Sequence, residues 1–272
     1  MEPRKWVLFD IGGVLEVVDD DAWGKLFARR WQELSGFSLE EYRARLTAAE
    51  LPDISRHAGI RADYWARIGQ ALEKDSSFAE AMEAEMWDEY CGRLNSELFE
   101  YASALRSRAG VAILSNSVDG ARSEEERRFG FSAVFDPILY SHETGLLKPE
   151  PEAYENALEW MGADAEDVFF IDDHEICGEG AHTVGMNAIV HRDNPTTIED
   201  IEEFLRRTDR AEPPSFPVGS AQKIVAPFRP AVQLPADPNR PNRRRALTAG
   251  CGIPSSSRRG SRHRRRARSH RA

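Results

Sequence analysis

In this 272-residue chain, three apolar runs each end on side chains that can do chemistry. Lys5-Trp-Val-Leu-Phe9 stops at Asp10, Val111-Ala-Ile-Leu114 stops at Ser115-Asn116-Ser117, and Val168-Phe-Phe-Ile171 stops at Asp172-Asp173. Runs this short, continuous and rich in β-branched and aromatic residues suit strands buried on both faces of a parallel sheet. Ligands of an open parallel sheet sit outside the carboxyl ends of its strands. Folding is therefore expected to gather Asp10, Ser115, Asn116, Asp172 and Asp173 around one crevice. Lys148 joins them from Gly145-Leu-Leu-Lys-Pro-Glu-Pro151, where two prolines pin the backbone before a helix that begins near Glu152. Three carboxylates facing a single ammonium leave an excess of negative charge. A hard divalent cation would neutralise it, and oxygen ligands favour Mg²⁺.

The elements that must hold these groups can be read from periodicity. A fourth strand, Asn187-Ala-Ile-Val190, follows Gly185, which reads as a helix stop. Helical patterns lie between the strands, as in a doubly wound α/β domain. Residues 17–94 contain no strand candidate. Trp23, Leu26/Phe27, Trp31 and Leu34 repeat on one helical face, as do Phe78, Met82, Met86 and Tyr90. Ser38-x-x-Glu41 and Ser77-x-x-Glu80 both have capping-box spacing. The expected architecture is a Rossmann-like parallel-sheet α/β core (1–16 and 95–210), an inserted all-helical cap (17–94) and a disordered basic C-terminal tail (211–272). The tail holds 9 of the 15 prolines and no sustained period, too little to offset its ordering entropy.

Phe9-Asp-Ile-Gly-Gly-Val-Leu15, Ile113-Leu-Ser-Asn116, Gly145-Leu-Leu-Lys-Pro-Glu-Pro-Glu-Ala-Tyr154 and Phe170-Ile-Asp-Asp173 resemble, in order, the four motifs of the haloacid dehalogenase-like (HAD) hydrolase superfamily. The resemblance spans residues 5–205, and the helical insertion sits where that family places a small helical cap. It implies a Mg²⁺-dependent phosphatase acting on a small phosphorylated metabolite, with Asp10 as the nucleophile that becomes a phospho-aspartate. Mg²⁺ would bind Asp10, the Gly12 carbonyl, and Asp172 and/or Asp173. Lys148 would neutralise Asp10 and a phosphate oxygen, while Ser115, Asn116 and nearby amides would serve the transferring phosphoryl group. A free aspartate has a pKa of about 3.9, so Asp10 is expected to ionise without special tuning.

One position departs from the family pattern. Its phosphatases commonly place a second aspartate, the general acid, where this chain has Gly12. Loss of a general acid costs about 10²–10⁴ in rate. Gly12 therefore keeps open a catalytically weak protein that binds a phosphorylated ligand or partner. Dehalogenase chemistry, which needs no Mg²⁺, fits less well with the Asp172-Asp173 pair. A receiver-type phosphoacceptor fits the side chains but not their order along the chain. His142 reads as a surface loop histidine, with proton donation in place of the missing acid as the alternative. His174, Cys177 and His182 match no standard zinc spacing.

Composition bounds the partners. Residues 211–272 carry 14 of the 36 Lys+Arg and 2 of the 46 Asp+Glu, so the net −10 divides into a tail of +12 and a body of −22. Such a body is no general nucleic-acid binder. The tail run Arg258–Arg266 has the charge to hold nucleic acid or polyphosphate, and equally suits a solvated tail. No apolar run reaches the roughly 18–20 residues of a membrane span, and the N-terminal apolar run is too short for a signal peptide. Three cysteines without CxxC fit a reducing cytoplasm. The oligomeric state is not encoded in these features.

Overall fold

A computed structural model describes residues 5–18 and 22–207. The basic tail with Cys251 lies outside the described residues. Strand β1 (Trp6–Phe9) turns into β2 (Glu16–Val17), followed by helices α1 (Trp23–Ser35), α2 (Leu39–Ala48), α3 (Arg61–Ala71) and α4 (Ser76–Cys91) and then β3 (Arg93–Leu94). The chain continues through α5 (Ser96–Leu105), β4 (Gly110–Ser115), α6 (Ala121–Phe129), β5 (Ile138–Tyr140), α7 (Ser141–Thr144) and α8 (Pro151–Met161). It ends with β6 (Val168–Asp172), α9 (Glu175–Thr183), β7 (Asn187–Val190) and α10 (Asn194–Arg206).

Five strands form a parallel sheet in the order β5-β4-β1-β6-β7. The register sets Phe9 opposite Ile113 on one side and Ile171 on the other, so Asp172 lies one residue and Ser115 two residues beyond the level of Phe9. Alternation along these strands feeds two apolar layers. Val7, Phe9, Val111, Ile113, Phe169 and Ile171 pack on one face, with Leu98 of α5 and Phe204 of α10. Leu8, Ala112, Leu114 and Phe170 pack on the other, with Tyr154 of α8 and Ala181 of α9. The fifth strand was not expected from the sequence. Ile138–Tyr140 is only three residues long, too short for its period to show, and pairing with Ile113–Ser115 defines it.

All four helices α1–α4 lie between β2 and β3. Those two strands pair antiparallel, Glu16 with Leu94 and Val17 with Arg93, so a small ribbon joins the two ends of the insertion. The ribbon is a correction to an all-helical reading of 17–94. Helix α1 corrects another expectation. It buries Phe27, Trp31 and Ser35, whereas Leu26 and Leu34 are each 54% exposed. Each leucine lies about 100° round the helix from the buried residue that follows it. Ser38 and Glu41 make the expected capping box. At α4 the cap is Asp75, which accepts from Phe78 N–H at 3.1 Å, so Ser77 lies inside the helix. No described helix is long and apolar enough to cross a membrane.

Candidate active site

Asp10 directly follows β1, Ser115 closes β4, and Asp172 closes β6. Because β1 lies between β4 and β6, the three residues come to the carboxyl edge of adjacent strands. Asp10 is fixed by its own N–H, which donates to Ile171 O at 2.8 Å. Lys148 arrives from the loop before α8 and is 3% exposed. Its Nζ lies 2.8 Å from Asp10 Oδ1 and 2.6 Å from Asp172 Oδ2, bridging the two acids. Asn116 holds the lysine backbone from both sides. Its Nδ2 donates to Lys148 O, and its Oδ1 accepts from Lys148 N–H, each at 2.8 Å. The expected residues Asp10, Ser115, Asn116, Lys148, Asp172 and Asp173 are therefore grouped around these strand ends, with Asn116 committed to the lysine loop.

The two neighbouring aspartates differ. Both oxygens of Asp172 are engaged, Oδ2 by Lys148 and Oδ1 by His174 N–H at 2.8 Å. Asp173 is more open and holds His174 Nδ1 at 2.5 Å. One carboxylate oxygen each from Asp172 and Asp173 and a ring nitrogen of His174 lie within 4.8 Å of one another, close enough to surround a cation. Cys177 and His182 do not belong to that set among the described residues; His182 Nδ1 is 3.1 Å from Met186 O.

Electrostatics correct one expectation. Burial raises the Asp10 carboxyl to about 7, Lys148 opposes the rise, and Asp172 and Asp173 add to it. Asp10 therefore does not ionise as a free aspartate would, because water has been removed from around it. Burial acts to lower Lys148, but Asp10 and Asp172 outweigh it and hold the ammonium above its ordinary value. An additional cation among these acids would favour the ionised carboxylates. The Asp10, Asp172 and Asp173 carboxylates are hard oxygen donors of the kind that suits Mg²⁺, with the His174 ring nitrogen beside them.

The glycine pair divides its work differently from what the motif suggests. Gly13 has φ +71, and a Cβ there would lie 2.5 Å from the Asp173 carboxyl. Glycine is required at that position by backbone and neighbour together. Gly12 has an ordinary φ, and a Cβ on it would meet nothing within 4 Å. The space a general acid would occupy is open. His142 is not on the surface. It is buried with Nδ1 2.7 Å from Ser117 Oγ, and the charges around it are Glu143, Asp119 and Arg122. Burial keeps its pKa below the ordinary histidine value.

A second group of buried acids was not anticipated. Glu16 of β2 and Glu125 of α6 are buried, and neither Oε1 has a hydrogen-bond partner among the described residues. Glu125 Oε2 accepts from the Tyr140 hydroxyl at 2.5 Å. Burial raises Glu125 to about 8, against the Tyr140 bond and with help from Asp10. Burial, Glu125 and Asp10 push Glu16 well above the carboxylate range, against Arg128. In the sequence Glu125 sits inside Glu124-Glu125-Glu126, which looks like a solvated charged face; only the fold turns it inward.

A family model of haloacid dehalogenase-like hydrolases matches residues 4–180, the span that contains every residue of this crevice. The chain belongs to that family. This HAD-like hydrolase is 26% identical over 192 residues to haloacid dehalogenase-like hydrolase domain-containing protein 3 of Danio rerio, covering 64% of this chain and 78% of the relative. It is 26% identical over 201 residues to phosphoserine phosphatase of Thermus thermophilus, covering 71% of this chain and 76% of that one. Its fold is similar to that of a HAD-family enzyme of Bacteroides thetaiotaomicron solved with magnesium and inorganic phosphate. That match has a TM-score of 0.57 at 22% identity, covering 72% of this chain and 98% of the other.

Proposed function

We propose that this HAD-like hydrolase is a Mg²⁺-dependent phosphomonoesterase for a small phosphorylated substrate, with Asp10 as its nucleophile. The observation that carries the reading is the buried Asp10–Lys148–Asp172 bridge, at 2.8 and 2.6 Å, at the ends of three adjacent strands. Similarity to a phosphoserine phosphatase and to an enzyme that holds magnesium and phosphate supports it.

In this reading Asp10 attacks phosphorus, the P–O bond to the leaving group breaks, and a phospho-aspartate forms. Water then attacks the same phosphorus, releasing orthophosphate and restoring the carboxylate. Lys148 neutralises Asp10 and one phosphoryl oxygen, and Ser115 with neighbouring backbone amides donates to the others. Asn116 acts by fixing the backbone of Lys148. Asp10, the Gly12 carbonyl, Asp173 and Asp172 would hold the metal, with Asp173 the freer of the acidic pair. Bound there, Mg²⁺ supplies positive charge that offsets the carboxylates and the phosphate dianion. Gly12 leaves the departing oxygen without a carboxylic acid beside it. That feature favours a second reading, a protein that binds phosphorylated ligands with little turnover.

Screening against a panel of phosphorylated metabolites tests the choice. Turnover is expected to vanish in Asp10→Asn while the melting temperature holds, to stop in EDTA, and to return with Mg²⁺ but poorly with Ca²⁺. Phosphate binding without turnover of any panel member would select the second reading. Full turnover of a phosphate ester in EDTA would overturn the Mg²⁺ requirement, and turnover of a 2-haloacid in EDTA with none of the panel would point to dehalogenase chemistry.

A further inference from the structure

Between α2 and α3 a short segment of the helical insertion packs against the loop that follows Asn116. Within it Ile54 and Ser55 are buried, and Asp119, three residues beyond Asn116, holds both ends. Asp119 N–H donates to Ile54 O at 2.9 Å, and Asp119 Oδ2 accepts from Ile60 N–H at 2.7 Å and Arg61 N–H at 2.6 Å. Between those anchors, Arg56 extends to a different loop. Its Nη1 donates to Gly145 O at 2.8 Å and to Glu150 Oε2 at 3.1 Å, and its Nη2 donates to Glu150 Oε1. Gly145 and Glu150 are the two ends of the loop that carries Lys148.

We propose that Arg56 is a positioning residue for Lys148, its guanidinium spanning the ends of the Gly145–Glu150 loop so that the lysine is held at Asp10 only while the insertion is seated on the core. An isolated, partly exposed ion pair would contribute little to stability. Here the planar fork meets Glu150 with two nitrogens and adds a backbone carbonyl, a rigid three-point contact that a single charge would not make. Asn116 fixes the middle of the loop at the Lys148 backbone, and Arg56 fixes its ends. Lysine has a long flexible stem, and a misplacement of about 1 Å at a reacting group costs on the order of 10²-fold in rate. Docking of the insertion is in this way coupled to the geometry of a charge that lies on the core.

The inference rests on the phosphatase reading, and the experiment separates the two. Arg56→Ala, Arg56→Lys, Glu150→Gln and the Arg56→Ala/Glu150→Gln double variant of the full chain are assayed with p-nitrophenyl phosphate. Backbone hydrogen exchange over residues 145–150 is followed on the same samples. Arg56→Ala and Glu150→Gln are each expected to lower kcat about tenfold with KM nearly unchanged. The double variant should lose no more than either single one, since both break the same contact. Arg56→Lys should recover part of the loss. Exchange at the Lys148 amide should quicken in Arg56→Ala. A raised KM in Arg56→Ala with Glu150→Gln unaffected would mean that Arg56 touches the substrate itself, and would overturn the positioning role. Additive losses, or no loss in either single variant, would overturn it as well. If the wild-type protein turns over no phosphate ester, the phosphatase reading fails. The exchange data then decide alone, and unchanged protection at Lys148 sinks the clasp.

Discussion

Asp10 and Asp172 are buried with an ammonium between them, whereas Glu16 and Glu125 are buried within the electrostatic reach of Asp10 with no such partner. Both groups have lost water, and burial is the leading cause of the upward shift in Asp10, Glu16 and Glu125 alike. The difference lies in what faces each carboxylate. Lys148 contacts Asp10 directly and opposes its rise, while the rise of Glu125 is opposed by the Tyr140 hydroxyl on one oxygen and by the charge of Arg122. The first group has a cation between its acids, and the second has a hydroxyl on one oxygen and an Oε1 on each glutamate without a hydrogen-bond partner among the described residues. Removing or adding a single charge in either group should expose that contrast.

The largest effect is expected from Lys148→Met. It leaves Asp10 and Asp172 buried side by side, and removal of one partner of a buried ion pair costs about 3–5 kcal/mol. Urea unfolding should show that loss, and turnover should disappear. Unfolding at the wild-type midpoint would mean that the Lys148 bridge contributes nothing to stability. Gly12→Asp comes next, because it adds an acid where the fold leaves open space. In the wild-type protein, log kcat/KM is expected to fall steeply as the leaving group becomes more basic. In the variant the slope should flatten, with gains of up to about 10² on alkyl esters. A flat wild-type line would show that some other side chain already donates the proton.

Gly13→Ala should cost about 1–3 kcal/mol, from a left-handed backbone and a methyl group set against Asp173. Gly12→Ala, one residue earlier, should leave the melting temperature nearly unchanged, so the pair of melts checks which glycine the backbone needs. The last effect is a dependence on pH and concerns the second group. Glu125 keeps its proton to about pH 8 when folded, against an ordinary value of 4.5 when unfolded. Between those values the native state binds more protons than the unfolded one, so this group's contribution to stability declines as pH rises and is spent above pH 8. Glu125→Gln should therefore raise the melting temperature at pH 8.5 more than at pH 5, at about 2–4 °C per kcal/mol. An equal shift at both pH values would break the contrast between the two acid groups.

The crevice was legible in sequence because each of its residues ends an element that can be recognised on its own. Asp10, Ser115 and Asp172 each interrupt a run of strand-forming residues, and Lys148 is flagged by its flanking prolines. What stayed hidden depends on residues far apart in the chain. Glu16 and Glu125 are separated by more than a hundred positions, and neither has a local pattern that marks it as buried. The strand Ile138–Tyr140 exists by virtue of its neighbour β4. The solvent-facing Leu26 and Leu34 fit the helical period as well as the buried residues do, and only packing separates them. Gly12 and Gly13 are identical letters, distinguished by one dihedral angle.

The strand that leads into Asp10 is the first of the described strands to be synthesised, yet it sits in the middle of the sheet. Its two partners are Gly110–Ser115 and Val168–Asp172, so neither edge of β1 can be satisfied until most of the described chain exists. At a synthesis rate of about 5–20 residues per second, β1 waits roughly 8–30 s for β6 to emerge. Throughout that time Trp6–Phe9 presents an unpaired apolar edge of the kind that recruits other chains. Non-local pairing of this sort also slows folding once the chain is complete. A nascent chain released before β6 is made would carry β1 with one of its two partner strands missing, which makes aggregation during synthesis the first expected consequence of truncation upstream of Val168.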